Sequence, residues 1–280
     1  MTAQETAPYA SSTPLKKIRT VHLAEIKKNG GHFSMLTAYD QYTAEIFDAA
    51  GIEMLLIGDS AANNVMGYET TLPITMDEMV VFAKAVAAGA KHSFLVCDLP
   101  FGSYEISPQQ AVESSIRLMK ETGIHAVKIE CDERHAETVA AIAAAGIPVL
   151  AHIGFTPQSE HALGGYRVQG RGEEAAAAMI HTAKTLEEAG AFCVLMEMVP
   201  AEVARRVDEA LTVPTIGIGA GNGTTGQVLV WQDMLGLRSG RMPKFVKQYA
   251  QLRPIIEQAA QAYKTDVASG AFPAPEHSFD

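Results

Sequence analysis

With 280 residues, 48% of them hydrophobic and 19% charged, the chain has the composition of an ordinary folded protein, outside the charge-rich, apolar-poor class that stays disordered. A formal charge of −10 argues against nucleic acid or an anionic membrane as the main partner, since both select clustered Lys and Arg. No uninterrupted apolar stretch approaches the roughly 20 residues that span a bilayer, so the expectation is a soluble, cytoplasmic protein acting on small molecules.

Met1 to Pro14 is rich in Thr, Ser, Ala and Pro, and no apolar run follows Lys16 and Lys17, so residues 1–17 read as a flexible tail and not a secretory signal. Val21 to Lys28 reads as a helix capping the bottom of the fold. From His32 onward, short apolar runs alternate with longer amphipathic stretches, many closing on the helix-stop pair Ala-Gly. The strand candidates are FSMLTAYD ending at Asp40, MLLIGDS ending at Ser60, SFLVCDLP ending at Pro100, AVKIE ending at Glu130, PVLAHIGF ending at Phe155, FCVLMEMVP ending at Pro200 and PTIGIGAG ending at Gly221, followed by a weaker one, QVLVWQD, ending at Asp233. Helical candidates between them include TAEIFDAAG, MDEMVVFAKAVAAG, PQQAVESSIRLMKETG, ERHAETVAAIAAAG, EEAAAAMIHTAKTLEEAG and AEVARRVDEAL. Pro243 to Ala268 reads as a long terminal helix and residues 271–280 as a second tail.

Near-continuous apolar strands belong to parallel sheets buried on both faces, and short connections favour right-handed crossovers. Eight such units suggest a single (β/α)8 barrel over residues 18–270. A doubly wound open sheet is the alternative, because periodicity does not report strand order. Cys97, Cys131 and Cys193 form no C-x-x-C pair and read as reduced core thiols.

Acidic residues recur at or near the strand ends: Asp40, Asp59, Asp98, Glu130 and Glu197. A carboxylate there is costly to desolvate unless it is paired, hydrogen-bonded or metal-bound, and in a barrel that end carries the active site. Capping of the following helix is the structural alternative for each. Asp59 and Asp98 follow consecutive strands, so they should be neighbours. Their repulsion is relieved by a hard divalent cation, and without a Cys or His pair of zinc spacing the oxygen ligands favour Mg²⁺. Lys128 and Glu130 are two apart on one strand and share a face. They are either part of the site or an ion pair at the rim. His152 is a core histidine or a site residue. Glu197, between Met196 and Met198, is either a buried general base with raised pKa or a partner of Lys128. Of two glycine-rich segments, GGYRVQGRG suits a lid, an anion-binding loop or a plain surface loop, whereas GIGAGNGT lacks nucleotide-loop spacing and suits a tight turn at the barrel top.

The segments MLTAYD, LLIGDSAANNVMGYETTLPIT, DLPFGSY, AVKIE, AHIGFTPQS, GGYRVQGRG, EMVPAEVA and IGIGAGNGTTGQVLV, in this order, closely resemble the ketopantoate hydroxymethyltransferase family from Ile18 to the C-terminus. The resemblance implies a TIM barrel of the phosphoenolpyruvate/pyruvate type. It implies transfer of a hydroxymethyl group from 5,10-methylenetetrahydrofolate to 2-oxoisovalerate (3-methyl-2-oxobutanoate), through a Mg²⁺-stabilised enolate, in pantothenate and coenzyme A biosynthesis. Mg²⁺ would sit on Asp59 and Asp98, with Glu130 completing the acidic shell directly or through water. The keto acid would lie at Asp59, Ser60, Asp98 and Lys128 with His152 nearby, and Glu197 would accept the proton. A homodecamer is also implied. Glu160-His161 stands where the family pattern has Val-Asn, which bears on loop contacts. A Mg²⁺-dependent 2-oxo-acid lyase or mutase on the same barrel is the enzymatic alternative, although the reactive-cysteine loop of such enzymes is missing. A non-catalytic ligand-binding barrel is the other.

Overall fold

The computed structural model describes residues 16–279; most of the expected N-terminal tail therefore lies outside the described residues. Helix α1 (Thr20–Lys28) precedes β1 (Phe33–Thr37), and then strands and helices alternate: α2 (Gln41–Ala49), β2 (Met54–Ile57), α3 (Ala61–Asn64), α4 (Met76–Gly89), β3 (Phe94–Asp98), α5 (Pro108–Thr122) and β4 (Ala126–Glu130). The second half continues with α6 (Ala136–Ala144), β5 (Val149–Gly154), α7 (Glu160–Leu163), α8 (Glu173–Glu188), β6 (Ala191–Glu197), α9 (Ala201–Ala210), β7 (Thr215–Ile218) and β8 (Gly226–Leu229). The eight strands close in sequence order into a barrel of parallel pairs, which replaces the open-sheet alternative.

The interior follows from the two-residue repeat of a strand. Phe33 and Met35, Met54 and Leu56, Phe94 and Val96, Ala126, Leu150, Cys193 and Leu195, Ile216 and Val228 point inward and form one apolar core, with Leu23 of α1 closing its lower end. Leu23 is fully buried, so α1 is the expected bottom cap. All three cysteines are buried and unpaired, as expected of core thiols. The same alternation, continued upward, turns Asp98, Lys128, Glu130, His152 and Glu197 into the barrel.

The eighth unit departs from the rhythm. No helix joins β7 to β8; a loop over residues 219–225 returns instead along α9. Gly221 has φ +75°, and a Cβ there would collide with Ala201 Cβ, so this loop is a close-packed crossover and not the tight turn expected from its glycines. Its lower end is pinned by Asp208 of α9, which accepts from Thr225 N at 3.2 Å and Thr225 Oγ1 at 2.8 Å, bonds Thr215 Oγ1, and pairs with Lys27 Nζ at 3.0 Å. The strand expected through Asp233 stops at Leu229, and Trp231–Met234 is a helical turn, α10.

The described residues divide after Val228 into two compact units. In the second, α11 spans Leu252–Ser269, starting nine residues later than the expected Pro243. Pro254 explains the delay. Proline lacks an N–H and clashes in a helix interior but is tolerated in the first turn, so the helix begins just before it. The preceding stretch is held by Tyr249 N donating to Met234 O at 2.8 Å and Leu252 N to Leu235 O at 2.9 Å. Among the described residues, no helix is long and apolar enough to cross a membrane.

Candidate active site

Asp98, Glu130 and Glu197 end β3, β4 and β6, and Asp59 and Ser60 follow β2. Parallel register sets Asp98 beside Lys128 and Glu130 beside His152. Lys128 Nζ lies 2.7 Å from Asp98 Oδ1, so its ion-pair partner is Asp98 across the strands, and neither Glu130 nor Glu197. The Asp59 backbone N–H donates to Asp98 Oδ2 at 3.0 Å, which makes the two aspartates the neighbours their strand order implies. His152 stands between two glutamates, its Nδ1 3.8 Å from Glu130 Oε1 and its Nε2 3.4 Å from Glu197 Oε2. Neither nitrogen has an aligned hydrogen-bond partner among the described residues. Gly154 makes room for Glu197: at φ +92°, a Cβ there would lie 2.5 Å from the Glu197 carbonyl oxygen.

Burial dominates the electrostatics. It raises Asp98 to about 7, with Lys128 opposing the shift and Asp59 adding to it. Burial, reinforced by Asp59, also holds Glu130 well above the carboxylate range. Burial raises Glu197 to about 8, the Lys128 charge pulling the other way. Burial opposes the charge of Lys128 too, but Asp98, Asp59 and Glu130 outweigh it and keep the ammonium above its usual range. His152 is held far below its usual value, first by burial and then by Lys128, and is a neutral imidazole. Glu197, its side chain 17% exposed against 3% for Asp98, is the more open of these two acids.

Three uncharged residues complete the group. Gln158, in the short turn after β5, donates Nε2 to Asp59 Oδ2 at 2.9 Å and to Leu99 O at 3.1 Å, while its backbone N–H donates to Glu130 Oε2 at 2.9 Å. Tyr104 OH donates to Gln158 Oε1 at 2.6 Å. The Tyr39 hydroxyl shares a 2.8 Å hydrogen bond with Ser60 Oγ, and burial pushes it up to about 12. Sequence reasoning assigned none of the three a role. Their motifs, MLTAYD, DLPFGSY and AHIGFTPQS, were the available signal.

Other candidates fall outside the group. Asp40 caps α2, accepting from Tyr42 N at 2.9 Å and Thr43 N at 3.0 Å, which is the capping alternative. The GGYRVQGRG segment anchors through Gln169 N to Met198 O at 2.9 Å and stacks Tyr166 on Phe155, ring centroids 4.7 Å apart. Glu160 and His161 begin α7.

Among the described residues, no three His, Cys, Asp or Glu side chains are gathered so as to hold a metal ion. Glu130 thus does not join Asp59 and Asp98 in a direct three-carboxylate set, because its carboxylate turns to Gln158 N and His152. The site still fits a hard divalent cation. Mg²⁺ commonly takes one or two protein carboxylates and completes its shell with water and substrate. Here four carboxylates, Asp59, Asp98, Glu130 and Glu197, share Lys128 as their one nearby ammonium among the described residues, and burial penalises that excess negative charge.

Comparison with known proteins bears on the fold and the family. Residues 17–275 match the model of the family described as ketopantoate hydroxymethyltransferase. The 3-methyl-2-oxobutanoate hydroxymethyltransferase of Paenarthrobacter aurescens (strain TC1) is 62% identical over 277 residues, covering 99% of this chain and 92% of that protein. The protein of the same name from Corynebacterium glutamicum (strain ATCC 13032) is 58% identical over 269 residues, covering 96% of this chain and 100% of its own. The crystal structure of 2,3-dimethylmalate lyase, a PEP mutase/isocitrate lyase superfamily member, superposes with a TM-score of 0.57 at 16% identity, covering 93% of this chain and 91% of that one. That likeness shows the barrel type alone and gives the lyase alternative no further support. With a family match over nearly its full length and relatives of this identity, the chain is an enzyme, a transferase, and belongs to the ketopantoate hydroxymethyltransferase family.

Proposed function

We propose that the enzyme transfers the one-carbon unit of 5,10-methylenetetrahydrofolate to 3-methyl-2-oxobutanoate, giving ketopantoate and tetrahydrofolate with consumption of one water. The observation that carries this reading is Glu197. It is a carboxylate at the barrel mouth with a pKa raised to about 8, beside a neutral histidine and within a group of buried acids and one ammonium. A base poised near neutral pH suits removal of a proton next to a carbonyl.

Asp59 and Asp98 would hold Mg²⁺, with Glu130 supporting it through water. When bound, the ion supplies Lewis acidity toward the keto acid. The chain's own groups do the rest. Asp59, Ser60, Asp98, Lys128 and His152 would bind and orient the keto acid, and the unpartnered ring nitrogens of His152 suit a substrate oxygen. Glu197 accepts the C3 proton as the C–H bond breaks. The Lys128 ammonium, buried and charged, favours the negative charge that develops on the substrate. The C3 carbon bonds to the folate-borne carbon, and both bonds of that carbon to folate nitrogens break. The water supplies the oxygen of the new hydroxymethyl group, and its second proton and the proton taken from C3 end on the two nitrogens. The family resemblance further supports a cytoplasmic homodecamer, and the net charge of −10 supports the absence of a nucleic-acid or membrane partner. Light scattering after size-exclusion chromatography tests the assembly. For the reaction, purified protein with both substrates should form ketopantoate, and EDTA should abolish it. Ketopantoate formed at an undiminished rate in EDTA would remove the metal from the account, and none formed under any condition would remove the activity.

A further inference from the structure

Asp59 and Asp98 are held in opposite ways. Asp98 is held by a charge, Lys128 Nζ at 2.7 Å, and Asp59 by a neutral donor, Gln158 Nε2 at 2.9 Å. From this contrast we infer that Gln158, supported by Tyr104, is a positioning residue that presents the Asp59 carboxylate to the divalent cation. The inference rests on the proposed role of Asp59 and Asp98 as metal ligands.

Gln158 is buried, and its side-chain amide and backbone N–H are all hydrogen-bonded. Its amide nitrogen bridges Asp59 Oδ2 and Leu99 O, and its backbone N–H fixes Glu130 Oε2, so one residue holds two acids at the ends of different strands. A second cationic side chain at this place would compete electrostatically with a metal ion. A neutral amide orients the carboxylate and leaves its charge intact. The amide works in only one of its two orientations, since turned over it would set Oε1 against the Asp59 oxygen. Asp59 Oδ2 and Leu99 O, both acceptors, select the orientation that turns Nε2 toward them, and Tyr104 supports it by donating to Oε1 at 2.6 Å. Tyr104 is itself buried, reaches Glu130 O at 3.2 Å as well as Gln158, and makes no hydrogen bond to either aspartate, so it reaches Asp59 through Gln158.

The test is Mg²⁺ binding by titration calorimetry, with Mn²⁺ binding by electron paramagnetic resonance alongside, in the wild type, Gln158→Leu and Tyr104→Phe, with thermal unfolding of each. Outer groups that orient metal ligands typically set affinity by about 10- to 100-fold. Gln158→Leu should weaken both ions within that range, and Tyr104→Phe by a smaller factor in the same direction while its circular dichroism stays that of the wild type. Should Gln158→Leu fail to fold, Tyr104→Phe decides alone. Unchanged affinity for both ions in a folded Tyr104→Phe would overturn the positioning role while leaving Asp59 and Asp98 as ligands. A wild type that binds neither ion would overturn the metal site and the positioning role together.

Discussion

His152 Nε2 lies 3.4 Å from Glu197 Oε2, near enough for an ion pair, yet the ring makes no aligned hydrogen bond and is held neutral by burial. Glu197 therefore gains no cationic partner from its nearest base. Its elevated pKa, about 8, stands on burial.

A pH profile follows. Because the base must be ionised to accept a proton, kcat/KM should rise with pH through a limb near 8 in the free enzyme. At saturating Mg²⁺ the limb should lie below that value, since a nearby cation favours the carboxylate. A profile flat from pH 6 to about 9 would separate Glu197 from the rate.

The same shift has a stability consequence. A carboxyl raised in the folded state binds its proton more tightly there than in the unfolded chain. Its contribution is fully present below the unfolded value of about 4.5 and is lost as pH rises through about 8. Glu197→Gln should thus melt a few degrees above wild type at pH 8.5, in the absence of metal, and no higher at pH 4.5. Equal melting temperatures at both values would contradict the elevation.

Lys128 and Asp98 form a buried pair, and removing one partner of such a pair typically costs about 3–5 kcal/mol. Lys128→Met should approach that cost above pH 8 and fall short of it near pH 6, where Asp98, already raised to about 7, takes a proton instead. Urea unfolding at the two pH values measures the difference. A cost independent of pH would mean that Asp98 does not titrate in this range, against its elevation to about 7.

Much of this was legible in the chain. Strands β1 to β7 announced themselves as apolar runs because parallel barrel strands are buried on both faces, and the site appeared as acids at the ends of those runs. β8 was less legible because its crossover carries no helix, and its glycines answer to Ala201 and Arg205 of α9 instead of a turn. A spacing of two placed Lys128 and Glu130 on one face, but only cross-strand register could match Lys128 to Asp98. Gln158, Tyr39 and Tyr104 were missed as members of the group because uncharged loop residues leave no periodic mark; they join it through specific hydrogen bonds.

Asp208 offers a control at the other end of the barrel, where it ties β7, β8 and α1 together. Asp208→Ala should lower stability by roughly 2 kcal/mol, the scale of buried hydrogen-bonding groups left unsatisfied. Activity per folded molecule should be unaffected, since the bottom face of such a barrel serves stability. Loss of turnover without loss of stability would contradict that division.

The most direct measurement is exchange of the C3 proton of 3-methyl-2-oxobutanoate with deuterated solvent, followed by NMR in the wild type and in Glu197→Gln, with Mg²⁺ present. The wild type should exchange the proton, and Glu197→Gln should do so slower by on the order of 10²- to 10⁴-fold, the usual contribution of a positioned base, while still binding Mg²⁺. Undiminished exchange in that variant would contradict the assignment of Glu197 as the base.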